Sequence, residues 1–173
     1  MCVNFRPPKP QELIDHFHVD IESGATWPAE TWKDYPAPII RQDANGVRQV
    51  VIGTYGMVPK KHIPEGVKAF DTMNARAETV GQKRSFAKAW RSGNTCLVPM
   101  LCFFEPNYEA NPQKSVRWAI DLVDHAPFAV AGIWREWSES DGSTALSFTQ
   151  LTVNADDHPF MMRFHKIRLA RNS

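Results

Sequence analysis

From Thr95 onward the chain is written in short apolar or alternating runs, residues 95–104, 116–122, 128–134 and 144–153, joined by links of hairpin length. Many strands linked this closely argue for a mainly antiparallel sheet. Earlier in the chain, Ile39-Ile40 and residues 48–55 flank Asp43-Ala44-Asn45-Gly46, and Asn-Gly between apolar runs is a hairpin signal. Val116, Trp118, Ile120 and Leu122 alternate with Arg117, Ala119 and Asp121, as on a half-buried strand. After Thr95 the run to Phe104 is continuously apolar, which predicts a buried strand pair, or a strand and turn, around Pro99. Helical spacing is confined to two short pieces. One is residues 11–17, with Leu13, Ile14 and Phe17; the other is residues 85–91, with Phe86, Ala89 and Trp90 on one face and Gly93 as the stop. The predicted fold is therefore α+β, with a mainly antiparallel, strongly twisted or barrel-like sheet and a few short peripheral helices.

The 173 residues, 43% of them hydrophobic, suffice for one domain with a sizeable core. No linker divides the chain, so residues 1–173 are read as a single domain. Without a run of about 18 apolar residues or a basic-then-apolar leader, no membrane attachment is expected and the expected location is cytoplasmic. The three cysteines, Cys2, Cys96 and Cys102, are odd in number and spaced for neither a disulfide framework nor a zinc site. No metal or cofactor is expected. A net charge of +1 does not by itself select a polyanion, yet the charges are lumpy. Lys60-Lys61-His62, then Lys83-Arg84 with Lys88 and Arg91, then Arg163, Lys166, Arg168 and Arg171 form clusters, with Trp27, Trp32, Trp90 and Phe164 nearby in sequence. Cations beside aromatic rings are what single-stranded nucleic acid favours.

Cys2 is the residue with the most distinctive chemistry. Removal of Met1, which aminopeptidases carry out when a small residue follows, leaves a 1,2-aminothiol. Its α-amine titrates near about 8 and its thiol near about 8.5, so two nucleophiles sit on adjacent carbons. The pair can take up an aldehyde as a Schiff base and close it with sulfur to a thiazolidine, or it can serve as an N-terminal nucleophile in amide hydrolysis. Val3 and Phe5 alternate with Asn4 and Arg6, so a strand is expected to start immediately after Cys2.

Several polar residues stand out against the apolar runs. Glu105 ends Leu101-Cys102-Phe103-Phe104, and a carboxyl at the end of a buried strand is desolvated, the circumstance that fits it for proton transfer. Asn74 precedes Arg76 and Glu78 in a stretch with no secondary-structure need for them. His158 and His165 lie in a late polar segment, and either is a candidate.

Together, Cys2, Tyr55-Gly56-Met57-Val58-Pro59, Asn74-Ala75-Arg76-Ala77-Glu78-Thr79, Cys96-Leu97-Val98-Pro99 leading to Phe103-Phe104-Glu105, Ala131-Gly132-Ile133-Trp134 and Phe164-His165 resemble the SOS-response-associated peptidase (SRAP) family over nearly the whole chain. The Asn74-to-Thr79 block is the most specific. The resemblance implies a sensor of abasic sites in single-stranded DNA that forms a covalent thiazolidine crosslink, with lyase-like Schiff-base chemistry. By motif, Cys2 would be the nucleophile and Asn74 would hold the aminothiol and sugar. Glu105 would shuttle protons, and His165, rather than His158, would assist Schiff-base formation and reversal. Arg76 and Arg84 would bind DNA phosphates. The partner would be single-stranded DNA carrying abasic sites, with the protein on the nucleoid when bound; no protein partner is implied. Two other activities fit the same residues: an N-terminal-nucleophile cysteine peptidase or self-processing enzyme, and a non-catalytic single-strand binder.

This chain departs from the family pattern in Val3-Asn4, where Gly-Arg is usual, in Tyr55 and Lys61, where tryptophans are usual, and in Pro106 after Glu105. The family also continues past the late histidine into a further strand, whereas this chain ends at Ser173, so a divergent or truncated C-terminal end is expected.

Overall fold

A computed structural model describes residues 3–155 and 158–164. The early hairpin forms as its turn chemistry predicts. Strands β2 (Pro36–Gln42) and β3 (Arg48–Tyr55) pair antiparallel. The Asp43 carboxylate between them accepts the backbone N–H groups of Asn45 and Val47 at 2.8 and 2.9 Å, and Gly46 takes φ 80°. Such a left-handed turn position suits glycine, which has no Cβ to clash.

The later runs form the rest of a closed sheet. Strand β5 (Thr95–Met100) lies between β2 and β8 (Phe128–Ser138), and β8 pairs with β9 (Thr144–Thr152). β9 then pairs back onto β3 in parallel, Thr54 opposite Ser147 and Tyr55 opposite Phe148, so five strands close into a barrel. The short β4 (Asn74–Arg76) continues along that same edge of β9, Asn74 opposite Gln150. Phe5, Ile39, Tyr55, Met73, Val98, Met100 and Phe148 belong to the main core cluster. The Tyr55 ring lies 5.4 Å from Phe148 and 5.3 Å from Phe5, stacked on the first and edge-on to the second. Gly132 answers to packing at this core: a Cβ there would stand 2.7 Å from the Thr149 carbonyl oxygen and 2.9 Å from Val98.

A second, three-stranded sheet carries the amino-terminal end of the described chain. Strand β1 (Asn4–Arg6) and β7 (Val116–Ile120) flank β6 (Cys102–Asn107) on either side. The strand pair expected around Pro99 is present, but the break falls at Leu101, and Pro99 lies inside β5 opposite Ala129. A proline's fixed φ is compatible with an extended strand, so Pro99 need not be the turn. β7 also differs from expectation: all its residues but Ile120 are exposed rather than half-buried, Val116 at 53% and Trp118 at 40%. The reason is its place at the edge of the small sheet, outside the barrel.

The helices stay peripheral. α1 (Pro10–Phe17) starts with proline, its Glu12 carboxylate accepts the Lys9 N–H at 2.7 Å, and Leu13 is fully buried with Val19, Ile40 and Val50. α2 (Ala87–Arg91) packs Phe86 and Ala89 with Val80, Met57 and Ile133, while Trp90 stays 40% exposed over Gly81. The Pro- and Trp-rich segment between α1 and β2 wraps the barrel, tied by the Trp27 indole donating to the Pro8 carbonyl at 2.9 Å and by a bridge between Phe5 and Thr31. No helix among the described residues is long and apolar enough to cross a membrane.

Candidate functional site

Glu105 is built into the middle strand of the small sheet. It stands opposite Trp118 of β7 and one residue beyond Phe104, which pairs with Asn4 of β1. Only 3% of Glu105 is exposed. The strand expected after Cys2 therefore exists, and its first residue, Asn4, pairs with Phe104, one residue short of the buried carboxyl. Cys2 itself, like His165, lies outside the described residues. The other two cysteines are poor nucleophiles: burial pushes the Cys96 thiol up to about 12 and raises that of Cys102.

β1 is held by a polar cluster that sequence reasoning missed. The Asn4 amide, 1% exposed, donates to Glu30 Oε1 at 2.8 Å, and Arg117 of β7 donates to the same oxygen. Arg6 lies 4.0 Å from the other Glu30 oxygen. The Arg117 guanidinium also covers the Phe104 ring at 3.5 Å and stands 5.6 Å from Trp32, which is 43% exposed. Thus β1, β6 and β7 are locked around one carboxylate. The only trace of this in the sequence was Arg117 on the polar side of an alternating run.

The first three residues of the Asn74-to-Thr79 block form β4 and alternate as a strand should, and the rest of the block is turn. Ala75 is wholly buried in the cluster beneath α2, so Asn74, partly buried, and exposed Arg76 share the opposite side of β4. Met73, next to Asn74, belongs to the same core cluster as Phe5 of β1. The approach to β4 is fixed by Thr72, whose carbonyl accepts the Met57 N–H and whose hydroxyl accepts the Val58 N–H at 2.9 Å, and by Asp71, which accepts the Met73 N–H. Glu78 has a structural role. Its carboxylate accepts the Asn154 N–H at 2.9 Å beyond β9, and that bond, more than the Arg76 charge, holds the carboxyl below the usual range.

Of the two candidate histidines, His158 lies among the described residues. His158 is exposed, and its Nδ1 accepts the Met161 N–H at 3.3 Å, capping a 3-10 turn at Met161–Phe164. Phe164, 2% exposed, places its ring 6.0 Å from Trp118, the register partner of Glu105. Arg163 clamps Glu109 through two bonds of 2.7 and 2.9 Å and, with Asn107, holds that carboxyl down at about 2. The residue that follows Phe164 in sequence is His165.

Arg84 falls elsewhere. It lines a groove of about 310 Å³ with Lys88, Arg135, Ser85, Ser92 and Asn94, among whose walls Asn74, Arg76 and Glu105 do not appear. Of the rings expected to offer stacking surface, Trp32 and Trp90 are exposed, whereas Trp27 is hydrogen-bonded to the Pro8 carbonyl and Phe164 is buried. Among the described residues no three His, Cys, Asp or Glu side chains gather so as to hold a metal ion.

Comparison with known proteins adds family and fold. A family model described as SOS response associated peptidase (SRAP) matches residues 1–168. The abasic site processing protein YobE of Bacillus subtilis is 28% identical over 103 residues, 60% of this chain and 46% of that protein. YoaM of the same organism, also named an abasic site processing protein, is 28% identical over 64% of this chain and 47% of its own length. The chain thus spans about half the length of the curated relatives it matches. A solved protein from Bordetella bronchiseptica superposes with a TM-score of 0.83 at 29% identity, covering 96% of this chain and 79% of that one. A Bacteroides thetaiotaomicron protein shares the fold at a TM-score of 0.67 and 20% identity, covering 88% and 68%.

Proposed function

The chain belongs to the SOS response associated peptidase (SRAP) family, and from that premise we propose that it processes abasic sites in DNA by capturing them covalently at Cys2. With Met1 removed, the free α-amine of Cys2 attacks the aldehyde carbon of the ring-opened deoxyribose. The resulting carbinolamine loses one water to give an imine, and the Cys2 thiol then adds across the C=N bond. Sulfur bonds to carbon, the thiol proton ends on nitrogen, and a thiazolidine links protein to DNA with net loss of one water. Each transfer moves a proton, and Glu105 is the group we assign to carry it between sugar oxygen, nitrogen and sulfur. Asn74 orients the aminothiol and sugar by hydrogen bonds, and His165 assists imine formation and reversal. Arg76 and Arg84 hold the flanking phosphates of a single strand.

The observation that carries this reading is the register of β1 on β6, Asn4 opposite Phe104, which starts the strand following Cys2 within one residue of a carboxyl only 3% exposed. The names of the Bacillus relatives support abasic DNA as the target. The test is the intact mass of the protein before and after incubation with an abasic single-stranded oligonucleotide, with denaturing gels as the second readout. An adduct of protein plus strand minus one water, surviving denaturation and absent from Cys2→Ala, is expected. Salt-sensitive binding by protein lacking Met1, with no adduct, would overturn covalent capture and leave a reversible binder.

A further inference from the structure

The groove between α2 and β8 carries more positive charge than the fold requires. Arg84, Lys88 and Arg135 all line it. The carboxylate on its wall, Glu136, lies 3.7 Å from the Arg41 guanidinium and is engaged there. Among the described residues none of the three groove cations forms an ion pair. Arg135 is also partly withdrawn from water, and its pKa is lowered by that burial. Its guanidinium is stacked 3.7 Å from the Trp137 ring centroid, and Trp137 in turn stacks on His62 at 4.0 Å. A planar cation held this way has its donors oriented before any ligand arrives. Keeping a desolvated charge without a counter-ion costs free energy, and an anion in the groove would recover it. The Ser85 and Ser92 hydroxyls and the Asn94 amide add neutral donors of the kind that bind phosphate oxygens.

We infer that this groove is a subsite for backbone phosphates of the bound strand, in which Lys88 and Arg135 extend the Arg84 contact into a track of three cations. The inference rests on the strand-binding reading above, but not on its covalent step. The ligand class is the phosphodiester of a nucleic acid, bound without regard to base.

The test is fluorescence anisotropy of an undamaged oligothymidine strand against salt concentration, for wild type, Lys88→Gln, Lys88→Arg and Lys88→Gln/Arg135→Gln. On single strands each lost phosphate contact lowers the slope of log K against log salt by about 0.7. Lys88→Gln should lose one such step and the double variant two, while Lys88→Arg keeps the wild-type slope. Lys88 is exposed, so its variants keep the fold, and a thermal melt checks the double variant. Wild type that captures abasic DNA, beside variants with unaltered slopes, would overturn the subsite alone. The predicted slope changes without any covalent adduct would sustain the subsite and overturn covalent capture. No strand binding by wild type overturns both. Displacement of the strand by polyglutamate, lost in the double variant, would assign the groove to acidic protein segments and overturn the inference.

Discussion

The five-strand barrel and the three-stranded sheet beside it are held together by different physics. The barrel closes on apolar fit: Phe148 and Tyr55 are wholly buried and stacked, and Gly132 lets the backbone of β9 approach closely. The small sheet is held at its outer end by charge and hydrogen bonds, with Asn4 and Arg117 meeting on one Glu30 oxygen and Arg163 clamping Glu109. One region is a scaffold in which volume decides. The other is a polar edge with a buried carboxyl in its middle strand. On the function proposed above, stability and chemistry would fall to different sheets.

The largest effect should come from the barrel. Phe148→Ala removes a fully buried ring and should cost roughly 3–5 kcal/mol in urea unfolding. Trp118→Ala, on the exposed strand β7, should cost markedly less; equal losses would break the distinction between the two regions. Next comes Glu105→Gln, for which the rate of adduct formation should fall by at least about 100-fold, some 2.7 kcal/mol of barrier. Its unfolding free energy should move less than that of Phe148→Ala. Wild-type rates in Glu105→Gln would remove the carboxyl from the chemistry. Gly132→Ala follows at about 1–3 kcal/mol of stability, the range for overpacking a filled core, because the new Cβ meets the Thr149 carbonyl oxygen at 2.7 Å. Unchanged unfolding in that variant would mean that β8 and β9 separate without cost.

The two regions were unequally legible in the sequence. Hairpins and strands of the barrel are local features: Asp43 to Gly46 writes its own turn, and β8 and β9 announce themselves by apolar runs with Gly142 between them. Closure is not local, since nothing near Tyr55 indicates that it will pair in parallel with Phe148. Likewise Arg117 and Glu30 are 87 residues apart, and no periodicity connects them. Alternation located β7 but could not show that the strand lies at an edge, because the pattern records two faces and not what covers them. Of the candidate residues, Asn74, Arg76 and Glu105 were visible as polar groups standing where packing did not ask for them. Arg135 was invisible, being an arginine in a strand whose neighbours were read as core.

The smallest predicted effect sharpens the comparison from the polar side. Glu109 titrates at about 2 in the folded chain against an ordinary 4.5, chiefly because Arg163 donates two hydrogen bonds to it, with Asn107 adding a third. A carboxyl with a depressed folded value binds fewer protons folded than unfolded. Its contribution to stability is therefore fully present above about 4.5 and is lost as pH falls from there toward 2. Both partners are well exposed, so solvent screening keeps the contribution small. Wild type should melt slightly above Glu109→Gln at neutral pH, and the gap should close on acidification through that window and narrow with added salt. A gap that stays constant from neutral pH to 2 would mean that the Arg163 clamp contributes through packing of the Phe164 turn against Trp118 rather than through charge. The outer end of the small sheet would then be governed by the same apolar fit as the barrel.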